Sequence, residues 1–137
     1  MTVFYADASA LVKLVFEEAE SAALRRYVGE ADLASSELIL TEIPRAVRRA
    51  ASHDPALPLD LLLERVGELV DAVALRPLDR ALLAGAGALT EPALRALDAI
   101  HVVSAIDLDP IAAFVTYDQR QAAVARLAGL RTMAPGA

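Results

Sequence analysis

Cysteine is absent from this sequence, and so is tryptophan. Without cysteine, the chain can form no disulfide, no thiolate metal site and no cysteine nucleophile. Histidine is scarce as well: His53 and His101 are the only two, which excludes a zinc site built from three histidines. Any chemistry that this protein performs must therefore use carboxylates, hydroxyls, arginines or a hard cation.

Long hydrophobic runs are also lacking. The most apolar stretch, ALDAIHVVSAI, is interrupted by Asp98 and His101 and is shorter than the roughly 18 residues that a membrane span needs. The start, MTVFYAD, has neither a basic segment nor a long apolar one, so we expect no secretory signal. We therefore expect a cytoplasmic protein with no membrane partner.

Basic residues are outnumbered, and the formal net charge of −6 argues against binding nucleic acid through bulk charge. A nucleic-acid substrate stays possible, because local arginines and a bound cation can reverse the local field. Aromatic residues make up 4% of the chain against 56% hydrophobic residues, which is typical of helices packed closely on a sheet. The length of 137 residues fits one domain over residues 1–137.

Short apolar runs alternate with helical patterns along the chain. Strands are predicted at Thr2 to Ala6, at Ala31 to Ser36, in AVALRPL and in AAFVTY, with LRTM as a possible fifth. Such alternation favours an α/β sandwich of three layers, with a mainly parallel sheet of four to five strands and helices on both faces.

Two prolines affect the predicted helices. Pro44 falls inside ELILTEIPRAVRRAA, which predicts a kink there or a true helix start close to it. Pro92 follows a break and is predicted to reopen the helix that contains LRALDAIHVVSA.

Two aspartates follow predicted strands at opposite ends of the chain. Asp7 ends VFYAD and Asp118 ends AFVTYD. Either residue could simply be a helix N-cap. Ligands of parallel α/β folds, however, bind outside the carboxyl ends of strands, where these two carboxylates could converge.

Two further acids lie in apolar surroundings, where an unpaired charge is costly. Asp98 lies inside RALDAIHVV and could pair with Arg95, and Glu42 lies inside LILTEIP and could pair with Arg45 or Arg49. Taken together with Asp7 and Asp118, they are most simply explained by a shared cation. Ligands that are all oxygen favour Mg²⁺ or Mn²⁺ over zinc.

The segments YADASALVKL, LTEIPRAVRR, LRALDAIHVVSA and FVTYD together resemble the PIN-domain ribonucleases, specifically the VapC toxins of type II toxin–antitoxin pairs. The resemblance covers nearly the whole chain and implies a PIN-like fold. It places the family's catalytic and metal-binding acids, here called the acidic quartet, on Asp7, Glu42, Asp98 and Asp118. It also matches the hydroxyls of Ser9 and Thr116 to positions that support the site.

The resemblance further implies Mg²⁺-dependent endonucleolytic cleavage of RNA, with Mn²⁺ able to substitute. A metal-activated water would leave a 5′-phosphate and a 3′-hydroxyl. The implied partners are RNA, a second copy of the chain in a homodimer, and a VapB-like antitoxin whose C-terminal segment covers the acidic groove.

Other residues have competing interpretations. Arg45, Arg48 and Arg49 could contact RNA phosphates, or could form a solvated helix end that complements the helix dipole. His101 lies one helical turn after Asp98, but its apolar surroundings favour a hydrogen-bonded core histidine over a metal ligand.

Rival functions fit the sequence less well. A haloacid-dehalogenase-like Mg²⁺ phosphatase also has an Asp after its first strand, but it needs a second aspartate nearby and a later lysine. Here Asp7 is followed by alanine and serine, and no lysine follows Lys13. A response-regulator receiver domain fails for the same lack of a late lysine. A non-catalytic PIN-like module that binds RNA or protein is the remaining alternative.

Overall fold

Residues 2–137 are described by the computed structural model. Helices and strands alternate along them in the order β1 (Val3–Ala6), α1 (Ala8–Val15), α2 (Ser21–Val28), β2 (Asp32–Ser36), α3 (Ile39–His53), α4 (Leu59–Asp71), β3 (Val73–Arg76), α5 (Arg80–Gly87), α6 (Ala96–Leu108), β4 (Ala113–Val115), α7 (Gln119–Leu127) and β5 (Thr132–Met133).

The strands form one parallel sheet in the order β3-β2-β1-β4-β5. The central strand β1 pairs on both sides, so that Tyr5 lies opposite Ala34 of β2 and opposite Phe114 of β4. All strands therefore end at the same edge of the sheet, which we call the carboxyl edge. The predicted α/β fold with a parallel sheet is confirmed.

Alternate residues of β1 pack against opposite layers, as the twofold side-chain period of a strand requires. Phe4 and Ala6 belong to a core that includes Leu11 of α1 and Ile43 of α3. Tyr5 belongs to a second core that includes residues of β4, α6 and α7. Helices thus cover both faces of the sheet. Within residues 2–137, no helix is both long and apolar enough to cross a membrane.

Helix α3 continues through Pro44. It begins at Ile39, so the prediction of a helix start near Pro44 is wrong. A proline within a helix removes the hydrogen bond to the carbonyl four residues earlier, which here is that of Leu40. Leu40 is 47% exposed and lies near the helix start, on the solvent side of the helix.

Helix α6 begins later than predicted. It starts at Ala96 with Arg95 as its N-cap, and the prediction of a start at Pro92 is wrong. Glu91 explains the difference. Its carbonyl accepts from the backbone N–H of Leu94 at 3.3 Å, and its carboxylate accepts from the N–H of Ala93 at 3.1 Å. This local turn competes with helix formation.

Candidate active site

Asp7 lies directly after β1 at the carboxyl edge and is only 3% exposed. Its Oδ1 accepts from the Ser9 hydroxyl at 2.7 Å and from the backbone N–H of Ala10 at 3.1 Å, and its Oδ2 accepts from the Thr116 hydroxyl at 2.6 Å. Burial raises the pKa of Asp7, while the Thr116 and Ser9 donors oppose the rise. Asp7 is therefore both the N-cap of α1 and a buried carboxylate held by hydroxyls.

The same two hydroxyls connect the end of β4 to the end of β1. Ser9 Oγ accepts from the backbone N–H of Tyr117 at 3.0 Å, and Thr116 Oγ1 accepts from the N–H of Asp118 at 3.1 Å. The two hydroxyl oxygens lie 3.3 Å apart. Asp7 and Asp118 are thereby brought to neighbouring positions on the carboxyl edge.

Asp118 caps α7, because its Oδ1 accepts from the backbone N–H groups of Arg120 at 3.0 Å and Gln121 at 3.2 Å. Gln121 is 1% exposed, and its Nε2 donates to the carbonyl of Asp98 at 3.2 Å. Gln121 thus joins the start of α6 to the start of α7. The sequence interpretation missed this residue, although a Gln three residues after the capping Asp118 has the spacing of a capping box.

Asp98 lies in the first turn of α6 and is half-buried. Burial raises its pKa most, and the negative charge of Asp118 raises it further, while His101 and Arg95 act in the opposite direction. No ion pair joins Asp98 to Arg95 among the interactions of residues 2–137. The alternative in which Arg95 pairs with Asp98 is therefore wrong.

Glu42 reaches from α3 to His101 of α6, with Oε1 2.7 Å from Nε2. It pairs with this residue rather than with Arg45 or Arg49, so those alternatives are wrong. His101 is 2% exposed, and its Nδ1 lies 2.7 Å from the phenol oxygen of Tyr5. The prediction of a hydrogen-bonded core histidine is confirmed. Its contact with Glu42 was missed, because the two residues are far apart in the sequence.

Three of the four acids line a cavity of about 300 Å³. It is lined by Glu42, Arg95, Leu97, Asp98, Asp118 and Arg120. Asp7 is not among the lining residues; it lies behind the surface, linked to Asp118 through Thr116. With the side chains in these positions, residues 2–137 contain no group of three or more His, Asp or Glu side chains close enough to hold a metal ion. The structure thus brings three members of the acidic quartet to one cavity and buries the fourth beside it.

A second groove, of about 510 Å³, adjoins this cavity because both include Glu42 and Leu97. Its basic residues are Arg45 and Arg49, and Ser9 also lines it. Arg48 is exposed on the same helix but does not line the groove. None of these three arginines has an ion-pair partner in the described part of the chain.

Comparison with known proteins gives consistent results. The sequence model of a family described as "PIN domain" matches residues 4–127. Two Mycobacterium tuberculosis proteins, ribonuclease VapC47 and ribonuclease VapC35, are 34% and 36% identical to this chain, and each alignment covers 98% of both sequences. Ribonuclease VapC46 of the same organism is 36% identical over 98% of this chain and 99% of its own.

The fold has a solved counterpart as well. The crystal structure of Mycobacterium tuberculosis VapC20, a toxin that cleaves the sarcin–ricin loop, superimposes with a TM-score of 0.70 at 16% identity, covering 96% of this chain and 99% of that one. At this identity the likeness shows the fold alone, while the family match and the curated relatives carry the assignment. The chain belongs to the PIN-domain family, among its VapC-type ribonucleases.

Proposed function

We propose that this protein is the toxin of a VapBC-type toxin–antitoxin pair and cleaves RNA phosphodiesters at the acidic quartet with the help of Mg²⁺. The observation that carries the proposal is the cavity at the carboxyl edge, where Glu42, Asp98 and Asp118 meet beside the buried Asp7. VapC ribonucleases that align over nearly the whole chain support the same reaction class.

The donor set suits a hard divalent cation. The carboxylates at the cavity offer only oxygen ligands. Burial raises the pKa of Asp98 most and the charge of Asp118 raises it further, a repulsion that a cation would relieve. We propose that Asp7, Asp98, Glu42 and Asp118 hold the cation after their side chains move closer together than they lie in this structure, with Ser9 and Thr116 fixing Asp7. Bound there, Mg²⁺ would supply positive charge to the phosphate oxygens and acidity to the attacking water.

The chain's own residues account for orienting the substrate. Arg95 and Arg120 line the acidic cavity without an ion-pair partner among residues 2–137, so their guanidinium groups are free to bind non-bridging phosphate oxygens. Arg45 and Arg49 line the adjoining groove and would contact phosphates further along the strand. In-line cleavage there would leave 5′-phosphate and 3′-hydroxyl ends.

An antitoxin can silence such a site by occupying it. The cavity combines carboxylates with Leu97, which is 48% exposed. An arginine from a VapB-like antitoxin would pair with the carboxylates, and a neighbouring apolar residue would cover Leu97. We further propose that the active form is a cytoplasmic homodimer built from one domain per chain.

Cleavage of cellular RNA by the purified protein tests this proposal. We expect cuts in Mg²⁺ and in Mn²⁺, little turnover in Zn²⁺ and none in EDTA, with product ends that a 5′-phosphate-dependent exonuclease degrades. Co-purification with the product of an adjacent short gene should suppress the cuts. Equal cleavage in EDTA would refute the metal mechanism. A folded protein that binds RNA without cutting it would instead indicate the non-catalytic module.

A further inference from the structure

His101 connects the buried core to the candidate active site. It is 2% exposed, and each ring nitrogen has one partner at 2.7 Å: Nδ1 contacts the phenol oxygen of Tyr5, and Nε2 contacts Oε1 of Glu42. Tyr5 lies in the middle of the sheet and is fully buried. Glu42, with a side-chain exposure of 21%, is the end of this chain of contacts that reaches the cavity.

The two partners of His101, a carboxylate and a phenol, determine which group donates in each hydrogen bond. A carboxylate oxygen only accepts, so Nε2 of His101 is the donor to Glu42. Burial raises the pKa of Tyr5, so the phenol keeps its hydrogen and can donate it to Nδ1. In a neutral His101 that donates through Nε2, Nδ1 carries no hydrogen and accepts from the phenol of Tyr5, so the two contacts are satisfied by one tautomer.

Glu42 needs such a partner more than Asp7 and Asp118 do. Asp7 is held by the hydroxyls of Ser9 and Thr116, and Asp118 by backbone N–H groups of α7. Glu42 has a longer side chain with more rotamers, and its carboxylate has no backbone donor among the hydrogen bonds of residues 2–137. His101 is what keeps that carboxylate at one place in the cavity wall.

We propose that His101, oriented by Tyr5, is a positioning residue that presents the Glu42 carboxylate to the divalent cation and so sets the affinity of the site for it. This inference rests on the proposed function, because it assigns how one ligand of the cation is held. Partners that orient metal ligands commonly change metal affinity by about 10- to 100-fold when they are removed.

If His101 has only a structural role, a different result is expected. Its loss would lower stability and leave metal affinity unchanged in the protein that remains folded. A positioning role predicts that affinity falls on loss of the donor and returns with any side chain that restores the donor. Glutamine is such a side chain, because its amide N–H can donate to Glu42 while its oxygen accepts from Tyr5.

Calorimetric titration with Mn²⁺ separates the two roles without measuring activity. We expect His101→Leu to bind Mn²⁺ about 10- to 100-fold more weakly than the parent and His101→Gln to recover most of that loss. Tyr5→Phe should show a smaller loss in the same direction. Val102→Ala is the matched control, because it removes buried apolar volume from the neighbouring position of α6 and should lower Tm with parental Mn²⁺ affinity.

Parental affinity in a folded His101→Leu variant would overturn the inference, and so would an equal loss of affinity in Val102→Ala. If His101→Leu does not fold, parental affinity in Tyr5→Phe overturns it instead. The same experiments distinguish a wrong role for His101 from a wrong proposed function. A parent that binds Mn²⁺ and cleaves RNA, with unaffected variants, rejects only the role of His101. A parent that neither binds nor cleaves rejects both.

Discussion

Ionisation of Asp98 is unfavourable, because its half-buried position raises its pKa and the nearby charge of Asp118 raises it further. A fold that depended only on its own stability would be better served by an uncharged side chain here, because burying a charge without a counter-ion is costly. The same charge becomes useful if a cation completes the site. At the scale of single residues, Asp98 is therefore costly to ionise where it lies. The proposed metal site explains why an aspartate occupies this position.

Replacing Asp98 by Asn should make the metal-free protein more stable while abolishing cleavage. Folding raises the pKa of Asp98, so the stability associated with this group is fully present below about pH 4 and is lost as the pH rises through the raised folded value. We expect Asp98→Asn to raise Tm by about 1–3 °C at pH 7 in EDTA. The gain should vanish at pH 3.

Thermal unfolding of parent and variant at several pH values measures this difference. Asp32→Asn, an exposed aspartate at the start of β2, is the control and should leave the profile unchanged. A fall in Tm on Asp98→Asn at pH 7 would contradict the electrostatic account of this residue.

At the scale of elements, the order of helices and strands and the parallel sheet were predictable, because each short apolar run forms one strand. The local errors have local causes. Glu91 forms a turn that delays α6, and α3 accommodates Pro44 with the loss of one backbone hydrogen bond, to the carbonyl of the exposed Leu40. The four acids could be singled out from their positions. The contact between Glu42 and His101 could not, because it joins two helices and depends on tertiary packing.

Asp118 caps α7 and, in the proposed function, also binds the cation; two substitutions separate these roles. Asn keeps the oxygen that accepts from Arg120 and Gln121 and removes the charge, so Asp118→Asn should fold with nearly parental stability but cleave poorly. Ala removes the cap as well, so Asp118→Ala should lose about 1 kcal/mol in addition. Urea unfolding and RNA cleavage assays measure the two effects. Full activity in Asp118→Asn would show that this residue is only a helix cap.

At the scale of the whole molecule, a protein of net charge −6 must attract a polyanion through a local surface. The groove with Arg45 and Arg49 adjoins the acidic cavity, so basic and acidic surfaces meet at Glu42 and Leu97. The sequence could not predict which of the three arginines line the groove. Arg48 belongs to the same cluster in the sequence but does not line the groove.

Removing both groove arginines should weaken RNA binding more than it slows the chemical step. We expect Arg45→Ala with Arg49→Ala to raise KM with little change in kcat, and to reduce the slope of log affinity against log salt by about 1.4 for single-stranded RNA. Arg26→Ala, which removes one exposed charge from α2, is the control and should leave KM and the salt dependence unchanged. A lower kcat with unchanged KM would place these arginines at the reacting phosphate instead.

We propose that distant segments join at the carboxyl edge to hold a divalent cation. Asp7 tests this proposal most directly, because its carboxylate is the most deeply buried of the acidic quartet and its charge is therefore the most costly without a cation. The measurement is the single-turnover rate of RNA cleavage in saturating Mg²⁺ by Asp7→Asn, which keeps the side-chain size, removes the charge and replaces the oxygen that accepts from Thr116 with an NH2 group. We predict a rate at least about 100-fold below that of the parent, with the fold retained. A folded variant that cleaves at the parental rate would contradict the account.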